Sequence, residues 1–204
     1  LSGFSRFLGL AAALTSCEIN YSQLGREAGI NPTTAQRWLA LLLRTYQWEE
    51  AGPYHGNTVK RLCGKPKGHF ADTGIACFLQ RVSSPEALAV SPLLGSMFES
   101  FMFHEIRCQA SSMAPSPQFY HWRTAGGAEA DLVLEWNGFL FPVEVKCKTH
   151  LDGNDLRGLK AFSDTYGRQK VKPALVVYAG KECYLADPNI VAVPWNAVWK
   201  RQSG

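Results

Sequence analysis

The chain predicts an α/β fold in two consecutive parts, and three observations carry that expectation. Apolar residues recur at helical spacing through much of residues 1–80, Asn137-Gly138 marks a β-hairpin, and strand, helix and strand signals alternate after it. At 204 residues, with 46% hydrophobic and 12% aromatic composition, the chain has ample material for a core. No apolar run reaches the ~18 residues of a membrane span. No basic, apolar and small-residue succession of a signal peptide is present, and a chain that begins at Leu1 rather than Met is expected to be part of something longer. The six cysteines (Cys17, Cys63, Cys77, Cys108, Cys147 and Cys183) are scattered without a C-x-x-C pair, which predicts a reduced, cytoplasmic setting with no membrane attachment. A net charge of +4 and a pI of about 8.7 permit nucleic-acid binding without requiring it.

Residues 1–80 read as a winged helix-turn-helix. Helical spacing runs from Phe4 to Leu14. A short helix then starts near Ser22, turns Leu24 and Ala28 inward and stops at Gly29. A third helix opens with Asn31 as N-cap and Pro32 at its first position, with Ala35, Leu39 and Leu42 inward. Trp48 to Val59, with turns at Gly52-Pro53 and Gly56-Asn57, supplies the wing. On DNA this third helix would bring Thr33, Thr34, Gln36 and Arg37 to base edges or phosphates. Trp38 and the neighbouring leucines favour a different use of the same helix, packing against a partner domain while those polar residues face water. Lys60, Arg61, Lys65 and Lys67 crowd one Gly/Pro-containing segment, either as phosphate contacts or as a solvated loop.

A short strand at His69 to Ala71 leads to a helix capped by Asp72 or Thr73, with Ile75, Phe78 and Leu79 inward. Arg81 to Ser91 is a connection, and residues 81–204 form the second part. "LLGSMFESFMFHEIRCQA" is a helix apolar nearly all round and therefore predicted to be buried. Glu99, among Met97, Phe98, Phe101 and Met102, is either its one wet edge or an active-site acid.

Counting outward from Asn137-Gly138, with Trp136 facing Phe139, places Asp131 opposite Glu144 and Glu129 opposite Lys146. Alternation gathers Ala130, Leu132, Leu134, Trp136, Phe139, Phe141, Val143 and Val145 on one apolar face. Glu129, Asp131, Glu144 and Lys146 share the other, with Val133, Glu135, Leu140 and Pro142. Like charges set opposite one another destabilise a sheet unless neutralised. Asp131 and Glu144 therefore ask for a cation, and Mg²⁺ or Mn²⁺ suits two carboxylates with waters and phosphate oxygens as remaining ligands. Lys146 would then steady an attacking water or developing phosphoryl charge. A plain charge network balanced by Lys146 or a nearby Arg accounts for the same residues.

After the hairpin, "DGNDLRGLKAFSDTYG" reads as a helix capped by Asp152 or Asn154, with Leu156, Leu159 and Phe162 inward. "KPALVVYAG" is a buried strand and "IVAVPWNAVW" a final strand and short helix. His104, His121 and His150 lack any zinc-ligand spacing with the cysteines.

Asp131, twelve intervening residues and then Glu144-Val145-Lys146 resemble the motif of the PD-(D/E)XK nuclease superfamily. "GSMFE" places Gly95 and Glu99 as in the helix that precedes that motif in many members. Through "KGHFADTGIACFL", "LLGSMFESFMFHEI", "YHWRTAGGAEADLVLE", "FPVEVKCK" and "LRGLKAF", nearly the whole chain resembles the uncharacterised C-terminal region of prokaryotic AAA-type ATPases. The resemblance implies a restriction-endonuclease-like mixed sheet flanked by helices. It also implies Asp131, Glu144 and Glu99 as metal-binding catalytic acids and Lys146 as their catalytic partner. It places a P-loop ATPase domain of the same polypeptide upstream. This chain has no G-x-x-x-x-G-K-[ST], so ATP would belong to that domain and not to these residues.

Three functions compete on this reading. One is metal-dependent cleavage of DNA or RNA. Another is a non-catalytic module that holds nucleic acid or protein for the ATPase, as a monomer or homo-oligomer. The third is a winged-helix regulator whose salt-dependent DNA binding survives loss of Glu144 and Lys146.

Overall fold

The computed structural model describes residues 2–57, 61 and 64–197. In chain order its elements are α1 (Ser2–Ala13), β1 (Cys17–Glu18), α2 (Tyr21–Ala28), α3 (Pro32–Arg44), β2 (Trp48–Pro53), β3 (Lys67–Phe70), α4 (Thr73–Leu79) and α5 (Pro85–Ala89). They continue with α6 (Leu94–Ala110), β4 (Gln118–Arg123), β5 (Glu129–Trp136), β6 (Phe139–Lys146), α7 (Arg157–Tyr166), β7 (Ala174–Tyr178), β8 (Tyr184–Asp187) and β9 (Ile190–Pro194). All nine strands join one mixed sheet in the order β1-β3-β2-β4-β5-β6-β7-β9-β8. Among the described residues no helix is long and apolar enough to cross a membrane.

Local chemistry explains α2 and α3. Asn20 caps α2 by accepting from the Ser22 and Gln23 amides, and Gly29 ends it in the left-handed conformation at φ 72°. Asn31 caps α3 by accepting from the Thr34 amide, with Pro32 at its first position. Ala35, Leu39 and Leu42 point inward as the pattern predicts, and Trp38 packs edge-on against Phe4 and Phe7 of α1. β1 and β2 each pair antiparallel with β3, and Val59 of the expected wing lies outside the described residues.

Helix α4 departs from expectation. Asp72 caps it through the Gly74 and Ile75 amides, but Ile75 and Phe78 face outward, Phe78 with 80% of its surface exposed. At seven residues the helix has room for one buried stripe. Ala76, Cys77 and Leu79 fill it against the α1–α3 cluster, because close approach to α1 selects the small side chain.

The expected connection after residue 80 contains α5, capped by Ser84, and the sheet continues across it. β2 runs parallel to β4, pairing Gly52 with Tyr120 and Pro53 with His121. Helix α6 joins both halves, with Met97 in the cluster built on α1–α3 and Met102 and Phe103 against Leu132, Val143 and Val145.

The Asn137-Gly138 hairpin forms in the expected register, from Trp136–Phe139 to Leu132–Val143, with both turn residues at positive φ. Its faces are not what simple alternation predicts. Between the Tyr120–Val133 and Trp122–Ala130 pairs β5 carries one more residue than β4, a β-bulge at Asp131-Leu132. The bulge moves Ala130 away from Leu132 and into the opposite layer, with Val133, Leu140 and the α7 side chains Leu159 and Phe162. Both faces are thus covered, by α6 on one side and α7 on the other.

Asp152 and Asn154 do not cap α7, which begins at Arg157 without a side-chain cap. Asp152 instead accepts from the Asn154 amide in the preceding turn, whose backbone is also held by Asp155. Leu156, Leu159 and Phe162 are buried as predicted. Trp195 to Ala197 form no helix, and the rest of the expected terminal helix lies outside the described residues.

Candidate functional site

The site lies where β5 and β6 part. Beyond the Leu132–Val143 pair the ladder stops, and the Val145 amide donates to Asp131 Oδ2 at 2.9 Å. One carboxylate oxygen thus takes the place of a strand carbonyl and fixes the Asp131 side chain. Its other oxygen, Oδ1, lies 3.4 Å from Lys67 Nζ of β3. Lys67 also contacts Glu99 Oε1 on α6. Glu144 and Lys146, alternate residues of β6, pair through Oε1 and Nζ at 2.5 Å. Three acids and two lysines therefore meet where a bulged strand, a splayed strand, the β3 end and helix α6 converge. That helix is buried at Met97, Ser100, Met102, Phe103 and Ala110 and exposed at Arg107, Cys108 and Gln109, rather than buried all round.

Burial sets the electrostatics. Asp131 and Glu144 are 5% and 4% exposed. Burial, with the Asp131 charge adding to it, pushes the Glu144 carboxyl well above the ordinary carboxylate range, against the pull of Lys146. The same two causes raise Glu99, opposed by Lys67. Burial works to lower both lysines, but the carboxylate charges prevail and raise them: Glu99 and Asp131 for Lys67, Glu144 and Asp131 for Lys146.

A hard divalent cation fits this donor set in kind, since all three acids offer oxygen. Glu144 Oε2 is buried and has no hydrogen-bond partner among the described residues, the condition a cation would relieve. The present spacing is another matter. Among the described residues no three His, Cys, Asp or Glu side chains converge closely enough to hold a metal ion, and Lys67 stands between Glu99 and Asp131.

The remaining sequence candidates lie elsewhere. Gln36 and Arg37 are exposed on α3. Arg61 is held by Glu135 at 2.8 Å, by the His55 carbonyl and by the Tyr54 ring, 4.1 Å below its guanidinium. Lys65 is exposed, and its carbonyl lies 3.1 Å from His121 Nε2. Lys60 lies outside the described residues. Lys67, grouped by sequence with this basic segment, is instead the second cation of the acid cluster, its side chain 12% exposed. The signal for it was arithmetic: three acids in one apolar setting need more than Lys146 to balance them.

A nine-stranded mixed sheet with helices on both faces and an acid–lysine cluster at its central hairpin defines a mixed α/β protein. The chain belongs to the family described as Domain of unknown function (DUF4143), which matches residues 94–198. Residues 1–86 match a second family, Domain of unknown function (DUF8612). Uncharacterised proteins of Mycobacterium tuberculosis (Rv2008c) and Mycobacterium bovis (Mb2031c) are each 30% identical over 177 residues, 87% of this chain. The chain spans 38% of the length of each. The crystal structure of protein VC1899 from Vibrio cholerae aligns with 86% of this chain and 42% of its own, at 15% identity and a TM-score of 0.28.

Proposed function

We propose that this chain is the C-terminal part of an AAA-type ATPase polypeptide, and that its PD-(D/E)XK-like cluster cleaves phosphodiester bonds in nucleic acid with a divalent cation. The supporting observation is the meeting of Glu99, Asp131, Glu144 and Lys146 at the splayed end of the hairpin, with Glu144 Oε2 buried and unpartnered among the described residues. Asp131, Glu144 and Glu99 would hold the ion, which would supply Lewis-acid stabilisation of a phosphoryl oxygen. Asp131 Oδ2 is taken by the Val145 amide and Glu144 Oε1 by Lys146, which leaves Asp131 Oδ1, beside Lys67, and Glu144 Oε2 to face the ion. Lys146, its side chain 27% exposed and paired to Glu144, would orient a water or meet negative charge on phosphate. The first part would present α3 to the same nucleic acid or pack it against the ATPase.

The test is cleavage of plasmid DNA, single-stranded DNA and RNA in Mg²⁺ and in Mn²⁺ by this chain and by Asp131→Asn and Glu144→Gln. Asn at 131 keeps an acceptor for the Val145 amide, so the variant removes charge rather than the strand contact. Activity in the parent that falls at least ~100-fold in both variants is expected, the scale on which loss of a charge-stabilising group is felt. Activity that survives both changes would sink the assignment of these residues. The ion pairs of Lys67 with Glu99 and Asp131 favour one other reading, a non-catalytic nucleic-acid or protein-binding module balanced without metal. On that reading no substrate is cut and no divalent ion binds.

A further inference from the structure

Lys67 comes from β3, outside the α6–β5–β6 unit that supplies the acids, yet its ammonium contacts Glu99 Oε1 and lies 3.4 Å from Asp131 Oδ1. Lys146 pairs with Glu144, so Lys67 is the cation nearest the other two acids. Two carboxylates brought this far out of water need a counter-charge, and Lys67 is the ammonium in contact with both among the described residues. We infer that Lys67 is an internal counter-ion that holds Glu99 and Asp131 in place of a divalent cation, so that metal enters only as the ammonium leaves. The inference rests on reading the cluster as a divalent-cation site.

The structure provides somewhere for Lys67 to go. A cavity of about 240 Å³ is lined by Lys67 and Glu99 together with Ser16, Glu18, Ser96 and Glu129. A lysine side chain is a point charge on a flexible four-carbon stem. Swinging away from Asp131, Lys67 would find the carboxylate of Glu18 lining the same cavity, where Arg123 already pairs with Glu129 at 3.7 Å. Glu144 Oε2, which Lys67 does not satisfy, is then joined by two freed acids, and the spacing that the present arrangement lacks can close. The exchange trades one positive charge for two without moving the backbone that positions Asp131.

Mn²⁺ titration calorimetry and thermal melts with and without Mn²⁺ test this on the parent chain, Lys67→Met, Lys67→Gln and Glu144→Gln. Removal of the competitor should tighten Mn²⁺ binding about tenfold or more, within the usual range of coupling between two ligands of one site. The Lys67→Met chain should also melt lower than the parent without metal and recover with Mn²⁺. Lys67→Gln, similar in length and able to hydrogen-bond both acids, supplies the affinity comparison if Lys67→Met does not fold. Equal Mn²⁺ affinity in the parent and the Lys67 variants overturns the inference and leaves the metal site standing. Mn²⁺ binding that survives Glu144→Gln, or no binding by the parent or either Lys67 variant, overturns the metal site and the inference together.

Discussion

His69 is a buried imidazole stacked on Phe103 at a centroid distance of 4.1 Å, with Nδ1 3.1 Å from Ser100 Oγ and Nε2 without a partner. Ser100 in turn meets Thr15 Oγ1 at 2.7 Å, and Thr15 accepts from the Phe70 amide, so one polar chain ties the turn after α1 to β3 and α6. Burial, with the Lys67 charge adding to it, holds His69 well below its ordinary pKa of 6.5. The unfolded chain therefore takes up a proton near pH 6.5 that the folded chain refuses. Stability contributed by neutral His69 is full above that pH and lost as pH falls below it, by up to about 1.4 kcal/mol per pH unit. Urea unfolding at pH 5, 6 and 7 should show the acid slope flatten in His69→Gln; an unchanged slope would assign it to other groups. At this scale the sequence exposed Asp131, Glu144 and Lys146, because their charges interrupt an apolar run. It hid Lys67, because a lysine beside other basic residues looks like solvated surface until β3 carries it inward.

Elements were legible where their cause is local. Caps at Asn31 and Asp72 and the Asn137-Gly138 turn rest on a few adjacent residues, and each forms as its chemistry dictates. The bulge at Asp131-Leu132 was not legible, because it is set by the register of β5 against β4, which the hairpin's own residues do not encode. Nor was the outward turn of Phe78, which is decided by how closely α4 approaches α1. The seat of α7 shows the same dependence on a distant neighbour. A Cβ on Gly158 would stand 1.7 Å from the Glu129 carbonyl oxygen, so the helix can lie against β5 only with glycine there. Gly158→Ala should cost about 1–3 kcal/mol, the usual range for an overpacked contact, measured by urea unfolding. Because Glu129 begins the strand that carries Asp131, the variant should also weaken any Mn²⁺ binding. An Ala variant as stable as the parent would show that α7 can shift freely.

For the whole molecule, the sequence suggested two consecutive parts, and two families match on either side of residues 87–93. The sheet nevertheless runs through both, by way of the β2–β4 pairing, and α6 packs into the cores of both. These contacts join residues far apart in the chain, which is why no local pattern announces them. They predict that the chain unfolds as one unit, with a single calorimetric transition whose van't Hoff and calorimetric enthalpies agree. Two resolved transitions would show the seam to be separable. The same continuity means that α3 and the acid cluster are carried on one framework.

The two ends of the sheet are among its shortest strands, β1 with two residues and β8 with four, and they carry Glu18 and Asp187. A long, flat, uncharged border would offer a row of open amides and carbonyls to the same border on another copy. Here both borders are short, and β1 adds the negative charge of Glu18, whereas Asp187 of β8 is paired with Lys160 at 2.6 Å. Stacking of copies into a continuous ribbon is thereby disfavoured, even during the intervals when the protein is partly open.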